Sequence, residues 1–496
     1  MTGPAASGPG GMGQTGPVAQ PSRIVIAGAS GYVGRLLAHQ LAGAGHQVSA
    51  LGRNPDALPT GLRISPRTVD VADLESTALA LAGADAAYYL VHAMADGTGF
   101  EARDRQLAET FGRAAKSAGV GRIIYLGGLG RGELSAHLVS RQEVGAVLAA
   151  SGVPVVELRA AVILGAGSIS YEMLRSLTER LPVMVCPRWI TTRLQPLAES
   201  DLLDYLAGAL VAPPGTYEIG TPDATDYGTM MRCYAEERGL RPRRVFTVPF
   251  VTPSLSARWV DLVSPVDRRI SHALIESLVN EVLVHDPERT FEAFGITPLP
   301  VRDAVRRAIS DEGDRVSAGL LNRSEPLGTG VYVMRCTAPL EPDRIEAARD
   351  DLAQVGGDLS WYGTAWAWAL RVALGRLFGE RLRIRRPDRL APGALADWWQ
   401  VVRTDPDHLV LASVGWFCGD GWLALHIADA PPCVEQAAAF RPKGLLGLAY
   451  WWVLWPVHQL VFRVMVRGRV RRVRLKTSPV AFTARSAGAV GSTRSP

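Results

Sequence analysis

The chain has 496 residues, 47% of them hydrophobic, which is enough for more than one buried core. A net charge of +5, carried mostly by arginine without a basic stripe interleaved with exposed aromatics, argues against nucleic acid as a partner. Cys186, Cys233, Cys336, Cys418 and Cys433 are scattered and lack metal-ligand spacing, which argues against structural disulfides or a metal site and suits a reducing cytoplasm.

Residues 1–22 are rich in Gly, Pro, Ala, Ser and Gln, with no charged segment leading into an apolar core. They read as a disordered leader, and 477–496 as a disordered tail. The stretch from Arg23 to Asn54 then reads as strand, glycine turn, helix and strand. Ile24, Val25 and Ile26 form the short β-branched run of a strand buried on both faces. Gly28, Gly31 and Gly34 follow it directly. Gly28 permits the sharp turn, Gly31 lets backbone approach a pyrophosphate at the helix N-terminus, and Gly34 lets the helix pack on the sheet. Ser30, Tyr32 and Val33 lie in the same turn and join the candidate cofactor contacts.

The second strand, Gln47 to Leu51, ends in Gly52-Arg53-Asn54, where an acidic residue would select NAD through the ribose hydroxyl. Arg53 is a planar cation suited to a 2′-phosphate, so NADP(H) is favoured over NAD(H); the alternative is a solvated loop charge. Arg67 to Val71 reads as the third strand, closing on Asp70-Val71, and Leu74 to Ala82 as a helix. Ala86 to Val91 is a strand leading into His92, Glu101 to Ala118 a polar helix, and Arg122 to Leu126 a strand running into Gly127–Gly130. Ser135 to Ala150 is helical, and Val153 to Arg159 is the sixth strand. Ligands in such doubly wound sheets sit beyond the strands' carboxyl ends, which makes Asp70, Val71 and His92 candidates.

Gly215 to Gly220 reads as a strand, Thr225 to Arg238 as a helix and Arg244 to Val248 as a strand. Ser254 to Val284 is helical, and Val301 to Ile309 is a last helix. A polar, glycine- and proline-bearing stretch at 310–327 is the expected domain boundary, separating 23–314 from 328–476. Beyond it, Gly330 to Thr337 reads as a strand and Glu341 to Val355 as a helix. Asp397 to Thr404, His408 to Val414 and Leu423 to Ile427 are strands, and Gly444 to Val466 is a long aromatic helix. That order suggests an α+β fold with the last helix lying across a sheet.

The turn written Gly28-Ala-Ser-Gly31-Tyr-Val-Gly34 resembles that of atypical short-chain dehydrogenase/reductases. The resemblance implies an α/β, doubly wound Rossmann domain in which Asp70-Val71 contacts adenine. It also implies a Tyr-x-x-x-Lys pair and a serine for carbonyl reduction. The matching helix here holds His137 and Arg141 in place of tyrosine and lysine, and Gly127–Gly130 offers no hydroxyl. His137 is then the candidate proton donor and Arg141 the candidate ribose contact; the alternative is a non-catalytic binding module.

Trp398-Trp399, Phe440-Arg441-Pro442-Lys443-Gly444 and Pro456-Val457-His458, with Tyr88–His92 and Ser140–Val144, resemble YbjT-like bacterial proteins. That resemblance implies a helix-grip (START-like) domain with an apolar cavity under the terminal helix. The tryptophans then either line a pocket for a lipophilic ligand or form core. Gly444 to Val466 approaches membrane-spanning length and runs into Arg463, Arg467, Arg469, Arg471, Arg472, Arg474 and Lys476. Pro456, His458 and Gln459 weigh against a span, leaving peripheral membrane contact through 444–476 as an open alternative to a buried helix. The leading expectation is a cytoplasmic NADP(H)-dependent oxidoreductase acting on a hydrophobic small molecule. The rival is an NADP(H)-binding redox sensor or lipophilic-ligand carrier at the inner face of the membrane.

Overall fold

In a computed structural model describing residues 22–92, 99–181, 183–248, 279–322, 327, 330–355, 373, 375–376, 390–414 and 418–475, the run Ile24–Ile26 becomes β1 (Arg23–Ala27). It is followed by α1 (Tyr32–Gly43), β2 (Gln47–Gly52), β3 (Ile64–Thr68), α2 (Leu74–Leu81), β4 (Ala86–Tyr89) and α3 (Phe100–Ser117). Next come β5 (Arg122–Gly128), α4 (Ala136–Ala150), β6 (Val155–Ala160), β7 (Ile163–Leu164), α5 (Ile169–Arg180), β8 (Val183–Pro187), β9 (Arg193–Leu194) and β10 (Leu197–Ala198). The chain continues through α6 (Glu199–Gly208), β11 (Gly215–Ile219), β12 (Thr225–Asp226), α7 (Tyr227–Glu237), β13 (Arg244–Val248), α8 (Pro287–Phe294) and α9 (Val301–Leu321).

A seven-stranded parallel sheet takes the order β11-β6-β5-β4-β1-β2-β3. Strand order reverses between β1 and β4, the point at which such sheets bind ligands. Residues alternate between the two faces. Ile24 and Ile26 pack with Leu37 and Leu41 of α1 and Leu202 and Leu206 of α6. Val25 and Ala27 pack with Phe111 of α3 and Leu148 of α4. Burial on both faces explains why β1 reads as a continuous apolar run rather than an alternating one.

The third strand differs from expectation. It runs Ile64–Thr68 rather than Arg67–Val71, with Pro66 inside it. Proline cannot donate to a ladder, which argues against a strand in sequence, but β3 is the sheet's edge and tolerates it. Asp70-Val71 therefore lies just past the strand.

The chain divides into two compact units that interleave along the sequence. Residues up to Ile163, Thr191–Asp226 and Arg268–Val301 form the first, and Leu164–Ile190, Tyr227–Asp267 and Arg302 onward form the second. The helix expected to end at Ile309 is longer: α9 runs to Leu321, through most of the polar stretch 310–327. Val305, Ala308, Glu312, Val316 and Leu320 give that helix an unbroken buried stripe, while Arg307 pairs with Asp311 one turn on.

In the second unit a six-stranded antiparallel sheet has the order β14 (Tyr332–Pro339), β19 (Pro432–Pro442), β18 (Gly419–Asp429), β17 (His408–Ser413), β16 (Trp399–Thr404) and β15 (Leu395–Ala396). One face packs on α10 (Ile345–Leu352) and α11 (Gly444–Leu475) through Leu409, Leu411, Leu423 and Leu425. The other packs on α9 through Val410, Trp422, Ala424 and Ala437. Trp398, Trp399 and Trp451 are core, as the simpler sequence reading has it. The expectations at Trp361, Trp366, Trp368, Trp416 and 254–278, and on both termini, lie outside the described residues.

Beneath the antiparallel sheet lies a buried ion network. Arg175 of α5 faces Glu172, Glu179 and Glu312; Arg238 faces Glu179 and Asp420; Arg441 faces Glu312 and Asp420; Lys443 faces Asp420. Burial alone would raise the Asp420 carboxyl, but Arg238, Arg441 and Lys443 hold it well below the usual carboxylate range.

Candidate functional site

The parallel strands bring their carboxyl ends to one edge, and the predicted contacts gather there. Gly28 turns the chain with φ +86°, and a Cβ on it would lie 2.6 Å from the Leu90 carbonyl at the end of β4. A Cβ on Gly34 would stand 2.4 Å from the Gly28 carbonyl, so α1 needs glycine there to sit on the turn. Gly31 is different. Among the described residues a Cβ on it would meet only the Gly28 carbonyl, at 3.3 Å. Gly31 is also the N-cap of α1, without a side-chain cap and with no acid in the first turn. A helix N-terminus without a side-chain cap or an acid fits the pyrophosphate of a dinucleotide.

Ser30 Oγ lies beside Gly52 at the end of β2, next to exposed Arg53. Arg35 is engaged with the backbone carbonyls of Ser30 and Ala57. Tyr32 turns its hydroxyl to Glu199, and Val33 packs against the core behind the turn. The Asp70 carboxylate accepts from the Ala72 amide, and Val71 is buried in the core. Those two residues therefore shape the loop after β3.

His92 and His137, far apart in sequence, meet. Their rings stack with centroids 5.1 Å apart at 28°. His92 Nδ1 lies 3.1 Å from Asp104 Oδ2, and Ser140 Oγ donates to the same oxygen at 3.2 Å. Asp104 is only 2% exposed. With Nδ1–H held by the carboxylate, His92 Nε2 is left as a bare acceptor. Among the described residues neither His92 Nε2 nor His137 Nδ1 has a hydrogen-bond partner, although both are buried. Burial pushes the His92 imidazole down despite its bond to Asp104. Burial, then the neighbouring His92 and Arg141, push His137 down to about 3. His137 is thus neutral well below pH 7, so as a donor it can offer only the N–H of a neutral ring.

Arg141 lies over the Tyr125 ring, 5.2 Å from its centroid, and donates to the Leu126 carbonyl. Tyr125 returns a bond from its hydroxyl to the Arg141 carbonyl at 2.7 Å. This locks α4 to β5 and so fixes His137. Asp104 and Ser140 escaped the sequence reading. Asp104 stands at the start of the stripe Leu107, Ala108, Phe111, Ala114, Ala115; an acid on the apolar face of a helix is the signal that marks it.

Residues 28–176 match a family described as NAD(P)H-binding. The parallel sheet is an NAD(P)H-binding Rossmann fold. Residues 327–465, in the antiparallel sheet unit, match a family described as a protein of unknown function (DUF2867). No curated protein matches the chain. Similar solved structures include the Bordetella bronchiseptica enzyme WbmG with NAD, with a TM-score of 0.48 and 18% identity over 60% of this chain and 95% of that one. Citrobacter sp. triphenylmethane reductase complexed with NADP(H) has a TM-score of 0.46 and 18% identity, covering 58% of this chain and 99% of that one. A nucleoside-diphosphate-sugar epimerase from Staphylococcus aureus has a TM-score of 0.44 and 17% identity, covering 57% and 99%.

Proposed function

We propose that the chain is an NADP(H)-dependent oxidoreductase of the short-chain dehydrogenase/reductase type that reduces a polarised double bond in a hydrophobic small molecule. The observation that carries this reading is the Asp104–His92 pair stacked on His137 at the carboxyl edge of the sheet, with a buried ring nitrogen on each histidine unmet by any described residue. Perturbed, buried imidazoles at the ligand edge of a Rossmann sheet are candidates for chemistry.

Bound reduced nicotinamide supplies hydride. The N-terminus of α1 holds the pyrophosphate, and the Arg53 guanidinium takes the 2′-phosphate, favouring NADP(H). His137, kept neutral by burial, donates an N–H to the substrate oxygen as charge develops there, a role a neutral imidazole fills well. The proton that completes the product comes from solvent by way of that N–H. His92, oriented by Asp104, holds the His137 ring in place and keeps an acceptor Nε2 within the site. A cavity of about 280 Å³ past β11, lined by Tyr205, Ile219, Val284 and Ile296 with Gln195 and Glu218 among its polar groups, suits a largely apolar substrate with a polar handle.

Loss of NADPH fluorescence with hydrophobic aldehydes, ketones and quinones tests the reading. Asp104→Asn is expected to lower turnover by about 10²–10⁴-fold with NADPH affinity unchanged. Full turnover in that variant contradicts the assignment. A second reading, NADP(H) binding without turnover, draws support from the absence of a hydroxyl in Gly127–Gly130 and from the bond between Ser140 and Asp104. Calorimetric binding of NADPH without oxidation by any acceptor favours it. The helix-grip identity of the antiparallel unit belongs to the same proposal: a long helix lies on its sheet, with Trp451, Phe462 and Met465 packed in the core between them.

A further inference from the structure

No acidic residue occurs in the 32 residues of α11, the one described helix long and apolar enough to cross a membrane. Its inward face, with Trp451, Phe462, Met465, Val470 and Val473, is buried in the core of the antiparallel sheet. The outward face changes character half-way along. Its first four turns show Leu445, Leu446, Trp452, Val453, Val457 and Leu460 to solvent, with Trp452 57% and Val453 73% exposed. That apolar strip runs for about 24 Å, at 1.5 Å per residue. The same face then carries Arg463, Arg467 and Arg471, one per turn and all exposed.

The neighbouring arginines have partners: Arg469 and Arg472 face Asp351, and Arg474 faces Glu341. Arg463, Arg467 and Arg471 form no ion pair among the described residues. Between them and the edge strand β14 runs a groove of about 800 Å³, to which Arg335 and Cys336 also contribute.

We propose that α11 is an interfacial membrane helix that docks the protein on an anionic bilayer. The apolar strip sinks into the headgroup boundary while Arg463, Arg467 and Arg471 take lipid phosphates along the groove. Charge selects the partner: three unpaired guanidinium groups on a helix without a carboxylate call for a negatively charged surface, and the adjoining Trp452 and aliphatic strip call for one that is also apolar. Spanning is disfavoured because it would strip the inward face from its sheet and draw arginines on the same face into hydrocarbon.

Co-flotation of the full chain with lipid vesicles tests this, with NADPH binding measured in parallel so that failure here is separable from failure of the oxidoreductase reading. The protein is expected to float with phosphatidylcholine vesicles containing phosphatidylglycerol, to stay behind with phosphatidylcholine alone, and to leave the vesicles in alkaline carbonate. The combined variant Arg463→Gln, Arg467→Gln, Arg471→Gln is expected to partition about a hundredfold less, roughly fivefold per arginine. Trp452→Ser with Leu460→Ser is expected to lose flotation and keep NADPH binding. Absence of flotation with anionic vesicles, equal flotation with neutral ones, resistance to carbonate, or an unaffected arginine variant each overturns the proposal.

Discussion

At the carboxyl edge of the parallel sheet, His92 and His137 are buried with ring nitrogens that no described residue meets, and burial keeps them neutral. In the antiparallel unit, Arg175, Arg238, Arg441 and Lys443 are buried or nearly so against Glu172, Glu179, Glu312 and Asp420, every charge facing its opposite. Both regions take titratable groups out of water, at a cost that must be offset. The ion network offsets it mainly through its own opposed charges, although Arg238 Nε and Arg441 Nε meet no hydrogen-bond partner among the described residues. The histidine pair leaves the offset to something that arrives. On the proposed function, the opposed charges serve architecture and the unmet imidazole nitrogens serve a ligand, a distinction that rests on their place at the carboxyl edge of the parallel sheet and not on burial alone.

The largest expected effect comes from breaking the ion network. Arg441→Ala leaves Glu312 and Asp420 short of a partner in the interior and is expected to cost about 3–5 kcal/mol in urea unfolding. NADPH affinity under native conditions should hold, since the network lies outside the nucleotide edge. In the other region the tightest contact is at Gly34. Gly34→Ala places a methyl 2.4 Å from the Gly28 carbonyl, forces α1 off the turn and is expected to cost about 1–3 kcal/mol. Unlike Arg441→Ala it should also abolish NADPH binding in calorimetry. Arg53→Ala is smaller, weakening NADPH by about tenfold and leaving NADH unchanged.

The smallest effect is in pH dependence. His137 has a folded pKa near 3 against an ordinary 6.5, so the unfolded chain binds its proton first as pH falls. Its stability contribution is complete above about pH 6.5 and is lost on the way down toward 3. His137→Phe should therefore flatten part of the decline in melting temperature between those limits. An unchanged slope would show that the ring is not shielded.

The sequence made the first unit largely legible because burial on both faces writes β1, β2 and β4 as apolar runs, and glycines punctuate them. It misplaced β3 because Pro66 argues against a strand wherever the edge position is unknown. β19 was missed for a related reason: it opens at Pro432 and carries Ala437, Ala438 and Ala439, which have little β-propensity, yet it lies between β14 and β18. The helices α5 and α6 went unread, and α9 was cut short because Asp311, Gly313 and Asp314 mimic a linker when its buried stripe is overlooked. At the site, His92, His137 and Arg141 stood out by residue type. Asp104 did not, since the carboxylate that orients His92 arrives from a helix whose overall polarity hides it.

Calorimetric titration of the full chain with NADPH bears most directly on the account, because the glycine turn, Arg53 and the histidine pair all presuppose that nucleotide. One NADPH bound per chain, with a dissociation constant in the micromolar range that weakens in Arg53→Ala, is the predicted result. No heat of binding for either NADPH or NADH up to millimolar concentration would contradict it.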